Sequence, residues 1–261
     1  MTADAPEEFD LVGDLVARER RSERLALHAA ELDRTYSYFD LCNTACKAGN
    51  VLRHVGVREG DRLVVDPTPL PEPLLTFFGA ALLGAVTEFD ADIDPESDAR
   101  AVVVPAERES AFDLPGGSKL CVFGGAPDRP DTTHWEQEVW SENPAFPPTV
   151  HDPGDAVLRD AETGTTYSHA DLLAAAGDAV GALALDSDSR VAVRAPLSDP
   201  RTVAAGVLAP LVAGGAVALP GRDASLDATA AVVVDGDSGG DAPEDRTLGL
   251  EAVTFPSVDP R

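Results

Sequence analysis

Four short segments of this chain occur twice, in the same order. RTYSYFDL (34–41) returns as TTYSHADL (165–172), DRLVV (61–65) as SRVAV (189–193), LGAVTEF (83–89) as GGAVALP (214–220), and RAVVVP (100–105) as AAVVVD (230–235). A common order kept across most of a chain constrains it to two similar units.

Each unit reads as strand, helix and strand in alternation. Ser37 is placed to cap a helix, with Asp40 three residues on, and Leu41, Ala45, Ala48 and Leu52 carry its apolar face toward Gly56. DRLVVD (61–66) is a buried-type strand, Pro73 to Leu83 a helix stopped by Gly84, and AVTEF (85–89) a further strand. AVVVP (101–105) and KLCVF (119–123) add two more β-rich runs, as a mostly parallel sheet covered by helices requires. Before them, Phe9, Val12, Leu15 and Val16 recur at helical spacing and RLALH (24–28) alternates as a strand does. The predicted organisation is a first α/β lobe over 8–125, a linker rich in Pro, Asp and Thr over 126–154, and a second α/β lobe over 155–261. Trp135 and Trp140 are read as apolar anchors packing the linker over the lobe junction.

Charge narrows the partners. The 261 residues include 46 acidic and 20 basic ones, a formal charge of −26, and only Lys47 and Lys119 are lysines. This balance suits a protein kept soluble in concentrated salt, where screening removes self-repulsion, and it points to a salt-in, haloarchaeal setting. It argues against nucleic acid and anionic membranes, since the longest basic cluster runs only from Arg18 to Arg24. The N-terminus has no apolar leader and Gly206 to Gly221 is too short and proline-interrupted to span a bilayer, so the expected location is the cytoplasm. Cys42, Cys46 and Cys121 are odd in number and expected to be buried free thiols.

Candidate chemistry is sparse. The stretch TGTTYSHADL (163–172) sets a Gly/Thr turn before a helix; it reads either as a phosphate-cradling loop or as a plain turn with Ser168 as helix cap. Ser168, His169 and Asp171 are neighbours on one helical turn and point in different directions, no G-x-S-x-G elbow surrounds the serine, and His169 is expected to be exposed. DGDSGGD (235–241) and DADID (90–94) fail as calcium loops and are read as solvated loops. No catalytic residue and no metal ligand set is assigned.

RTYSYFDL, VLRHVGVREGDRLVV (51–65) and FFGAALLGAV (77–86) resemble the N-terminal part of the adenylate-forming enzymes, the superfamily of AMP-dependent acyl-CoA synthetases, peptide-synthetase adenylation domains and luciferases. Thr35, Tyr36, Asp40, Leu41, Gly56, Val57, Gly60, Asp61, Gly84, Ala85 and Val86 occupy the family's motif positions there. Asp155 to Ala176 is similar to the segment that holds the family's phosphate loop, T/S-S-G-T-T-G-x-P-K-G, and Ala195 to Pro220 to the segment after it. The resemblance implies two flavodoxin-like lobes with mostly parallel sheets flanked by helices, ligand access in the cleft between them, and Thr163, Gly164, Thr165 and Thr166 as the remnant of a nucleotide loop. It also implies ATP or AMP with Mg as cofactor and a small acyl or nucleotide ligand.

The departures bear on activity. The G-x-P-K-G portion is missing before Tyr167, and Asp160 and Glu162 would repel a triphosphate. Nothing after Pro220 resembles the family's magnesium, ribose-binding or late catalytic-lysine segments. The expectation is a truncated, degenerate relative that is non-catalytic, with a binding or regulatory role. The alternatives are an acyl-adenylate-forming ligase, divergent or one half of a split enzyme, and a structural partner of a full-length relative or of a second copy.

Overall fold

Two serine caps start the two principal helices in the same way. In the computed structural model, which describes residues 9–147, 149–221, 227–235 and 242–256, Ser37 Oγ accepts from Asp40 N–H at 3.1 Å while Asp40 Oδ2 takes the Ser37 N–H at 3.0 Å. Ser168 and Asp171 repeat this box at 3.1 and 2.9 Å. The reciprocal bonds satisfy amides that a helix start otherwise leaves unpaired. Helices α1 (Tyr38–His54) and α4 (His169–Ala182) follow.

Ahead of each cap runs an antiparallel hairpin, β1 (Leu25–Ala29) with β2 (Arg34–Ser37), and β8 (Ala156–Arg159) with β9 (Thr166–Ser168). Both carry an irregularity at the corresponding place, between Leu25 and Leu27 and between Ala156 and Leu158. After α1 come β3 (Arg62–Val65), α2 (Pro71–Leu83), β4 (Val86–Phe89), β5 (Ala101–Pro105), β6 (Lys119–Phe123), β7 (Thr133–His134) and α3 (Trp135–Ser141). After α4 come β10 (Arg190–Val193), a helical run of α5 (Pro200–Thr202), π-helical Val203–Leu208 and α6 (Ala209–Val212), then β11 (Ala216–Leu219), β12 (Ala230–Val233) and β13 (Thr247–Gly249). Proline opens both second helices, at Pro71 and Pro200, where no intrahelical N–H is needed. Pro210, which has no N–H to donate, comes two residues after the π-helical turn, a usual accommodation of such a residue.

The sheets do not divide the chain at its middle. One runs β7-β6-β5-β3-β4-β8-β9 and the other β13-β12-β10-β11-β1-β2, so each half gives its hairpin to the other half's sheet. β8 lies parallel to β4 and β1 parallel to β11, at matching places in the two sheets. Among the described residues all ladders except the two hairpins are parallel, as the alternation of strands and helices requires. The segment 126–154 is not bare linker: it supplies β7 and α3, buries Trp135, and leaves Trp140 78% exposed, so only the first tryptophan is an anchor.

The pairing also corrects the alignment of the halves. Arg62 faces Val86 and Arg190 faces Ala216, which puts Gly84 and Gly214 in register, at φ +72° and +73°, one residue from where the repeated GAV text places them. Both end a helical run in the left-handed conformation, a requirement that outweighs the match of apolar letters.

Inner faces of both sheets meet the helices in one core. Leu63, Val65, Val103 and Phe123 from one sheet join Val191, Val193, Val217 and Val232 from the other. The outer faces are covered separately, Val64, Val102, Val104 and Val122 by Ile93 and Phe112, and Ala192, Ala231 and Val233 in a smaller cluster. The thiols of Cys42, Cys46 and Cys121 are buried and free. Among the described residues no helix is long and apolar enough to cross a membrane.

Candidate functional site

Thr163, Gly164 and Thr165 form the tip of the β8–β9 hairpin, and Thr166 is the first residue of β9 at the sheet edge. Their arrangement follows from Asp160. Its Oδ1 accepts from Glu162 N–H at 2.9 Å and Thr163 N–H at 3.4 Å, and its Oδ2 takes the Thr163 hydroxyl at 2.8 Å. Asp160 O accepts the Gly164 N–H at 2.9 Å, and Thr165 N–H is held by Thr163 Oγ1 at 3.2 Å. An aspartate bonding the amides two and three residues on is a local turn in its own right. The Glu162 and Thr163 amides and the Thr163 hydroxyl are thus turned onto the Asp160 carboxylate, and the Gly164 and Thr165 amides onto other oxygens of the same turn.

A connection of the same length, closed differently, stands in the other half. β1 and β2 pair Ala29 with Arg34, and β8 and β9 pair Arg159 with Thr166. Aligned on the Leu27–Tyr36 and Leu158–Tyr167 pairs, Asp33 matches Gly164, and both are left-handed, at φ +49° and +74°. The residues 30–33 and 161–164 are therefore equivalent connections of equal length.

The charge around the tip is unfavourable to anions. Arg159, whose guanidinium lies beside Gly164, is paired with Glu88, a buried carboxylate on β4 that also takes Arg62 at 3.2 Å. Glu162 and Thr163 are exposed. A phosphate at van der Waals range of the Asp160 carboxylate would meet a repulsion of about 1 kcal/mol per charge pair in water and more in a less polar setting.

His169 is not an exposed helix residue. It is fully buried, its Nδ1 accepts the Val12 N–H at 3.1 Å, and burial together with the neighbouring His151 pulls its pKa down to about 4. With Nδ1 turned to Val12 and Asp171 capping Ser168, no Ser-His-Asp relay forms. DADID lies in a loop in which Asp90 Oδ1 takes the Asp92 N–H at 2.8 Å, and Asp235 Oδ2 takes the Glu251 N–H at 2.6 Å. Residues 236–241 of the DGDSGGD stretch lie outside the described residues.

Among the cavities that lie elsewhere, two stand out for their lining. One of about 660 Å³ is lined by Arg34, Tyr36, Lys47, Glu72, Trp135 and Trp140 among others. Arg34 Nη1 reaches Glu72 Oε1 at 3.2 Å, Trp135 Nε1 donates to Thr76 Oγ1 at 2.9 Å, burial raises the Glu72 pKa, and burial pushes the Tyr36 hydroxyl up to about 12. The other, about 600 Å³, opens between the 3₁₀ turns near Leu11 to Arg21, the end of α2, and Asn143 to His151. Neither is lined by the 163–166 turn. Asp160 as the closing group carries a sequence signal, the aspartate placed just ahead of the turn; the Arg34, Glu72 and Trp135 cavity carries none, because its residues come from three distant segments.

No family model matches the chain. The acetyl-coenzyme A synthetase of Campylobacter jejuni is 31% identical over 71 residues, 26% of this chain and 11% of that protein. The anthranilate CoA ligase AuaEII, solved in complex with anthranoyl-AMP, aligns with a TM-score of 0.72 at 17% identity over 86% of this chain and 49% of its own. The N-terminal domain of FACL13 from Mycobacterium tuberculosis aligns at 0.70 and 17% identity, over 86% of this chain and 62% of that one. This chain therefore spans about half the length of the ligase, and what is shared at such identity is the fold, that of the N-terminal domain of adenylate-forming enzymes.

Proposed function

We propose that this chain is a degenerate acyl-CoA synthetase-like protein that forms no acyl-adenylate itself and acts by binding or regulation. The observation that carries this reading is the self-bonding of the 160–165 turn, in which Asp160 takes the Glu162, Thr163 and Gly164 amides and Thr163 takes that of Thr165. AuaEII holds an acyl-adenylate in its solved complex. Stabilising charge at a reacting phosphate depends on donors already aimed at it, and the amides of residues 162–165 are bonded within the turn instead.

The acidic composition supports a working environment of concentrated salt. The location that goes with this reading is the cytoplasm, and the partner a full-length relative or a second copy. The test is release of pyrophosphate by the purified chain in molar KCl with Mg-ATP and a panel of carboxylic acids including acetate and anthranilate. The expected result is release no faster than ATP alone. Acid-dependent release would overturn the reading and favour a divergent ligase; release only on adding a second chain would favour a split one.

A further inference from the structure

Outside the hairpin turn, Glu59, His151 and Asp155 bring one ligand atom each within 4.8 Å of one another. Glu59 sits in the turn between α1 and β3, and His151 and Asp155 precede β8, so the three join the connection between the halves to the first half.

The imidazole is held as a metal-ligating histidine is held. His151 Nε2 lies 3.2 Å from Leu82 O, an oxygen that only accepts, so Nε2 carries the proton and Nδ1 keeps its lone pair. That Nδ1 is buried and has no hydrogen-bond partner. The other two histidines near carboxylates differ, His54 meeting Glu142 at 3.0 Å and His134 meeting Glu136 at 3.4 Å.

The space before Nδ1 is kept by a glycine. A Cβ at Gly84 would stand 2.7 Å from His151 Nδ1 and 3.1 Å from Glu59 Cγ, and the backbone there is left-handed. Asp155 gives one oxygen, Oδ2, to the Asp152 N–H at 2.8 Å and retains the other. On the far side the His169 ring lies within 18° of parallel to His151, ring centroids 6.5 Å apart.

We propose that Glu59, His151 and Asp155 form a binding site for a divalent transition-metal ion, with zinc as the best fit. One imidazole nitrogen and two carboxylates suit Zn²⁺ better than Mg²⁺ or Ca²⁺, which take oxygen ligands, and three protein ligands leave a position for water. The ion would pin the segment before β8 to the α1–β3 turn and the end of α2.

The experiment is calorimetric titration of the chelator-stripped full chain with Zn²⁺ alone, with Co²⁺ absorption as a second readout. We expect saturable binding of one ion per chain, weakened about tenfold or more in His151→Gln, Glu59→Gln and Asp155→Asn, and unchanged in His54→Ala. Near-UV circular dichroism identifies any variant that fails to fold; the two carboxylate variants decide the matter if the histidine variant does. Absence of saturable binding, or binding unaltered in the folded variants, overturns the proposal. None of these outcomes depends on whether nucleotide binds.

Discussion

Tyr38 and His169 hold the same position in the two halves, each the first residue of a helix directly after its capping serine, and each reaches into the opposite half. The Tyr38 hydroxyl donates to Gly215 O at 2.7 Å, and His169 Nδ1 accepts from Val12 N–H at 3.1 Å. Both side chains are buried. The exchange of hairpins between sheets places these helix starts at the seam, so two different side chains make one kind of tie.

Loss of either tie should therefore destabilise the whole body. Tyr38→Phe is expected to cost about 1 kcal/mol, the worth of one buried hydrogen bond. His169→Ala, which adds a cavity and an orphaned Val12 amide, should cost about 2–4 kcal/mol, with His169→Asn, able to accept the same bond, costing less. Urea unfolding checks this; values for Tyr38→Phe and His169→Ala both within the error of wild type would contradict it.

Glu72 gives a pH dependence with a definite sign. It is buried and its pKa is raised by burial, against the opposing pull of the Arg34 guanidinium. A carboxyl that holds its proton more tightly when folded contributes its full stability below the unfolded pKa of about 4.3 and loses it as pH rises through the folded value. Glu72→Gln lacks this loss, so its stability should gain on wild type between pH ~4 and pH ~7. A gap that stays constant, or that widens in favour of wild type, would mean the Arg34 pair outweighs desolvation.

The three thiols should be inert in the folded protein. Burial pushes Cys42 and Cys121 up to about 11 and raises Cys46, so at pH ~8 only about one Cys42 or Cys121 thiol in a thousand is ionised. A disulfide-exchange reagent should label none rapidly in buffer and all three in denaturant; rapid labelling of one thiol in the native protein would contradict their placement.

Much of the fold is legible in the sequence, because caps, apolar strands and their order are local signals. Ser37 with Asp40 and Ser168 with Asp171 are readable as helix starts, and the runs at 62–65 and 190–193 as buried strands. Which sheet a hairpin joins is not local. Nothing in RLALH or AVLR says that each pairs with a strand of the opposite half, since parallel partners are chosen by the tertiary packing. For the same reason His169 reads as a surface residue after a cap and becomes buried once the 3₁₀ turn at Val12–Val16 packs over it. The turn at 163–166 is legible as a turn; that its amides close on Asp160 depends on backbone geometry that motif letters do not encode.

The most direct test of the account is calorimetric titration of the folded chain, in molar KCl, with Mg-ATP, AMP and a non-hydrolysable acyl-adenylate analogue, beside the Thr165→Ala, Thr166→Ala double variant. A turn closed on Asp160 predicts no saturable heat with any of the three ligands and no difference between the proteins. Saturable binding of ATP that the double variant loses would contradict the account, because it would mean that the 163–166 turn opens to hold phosphate.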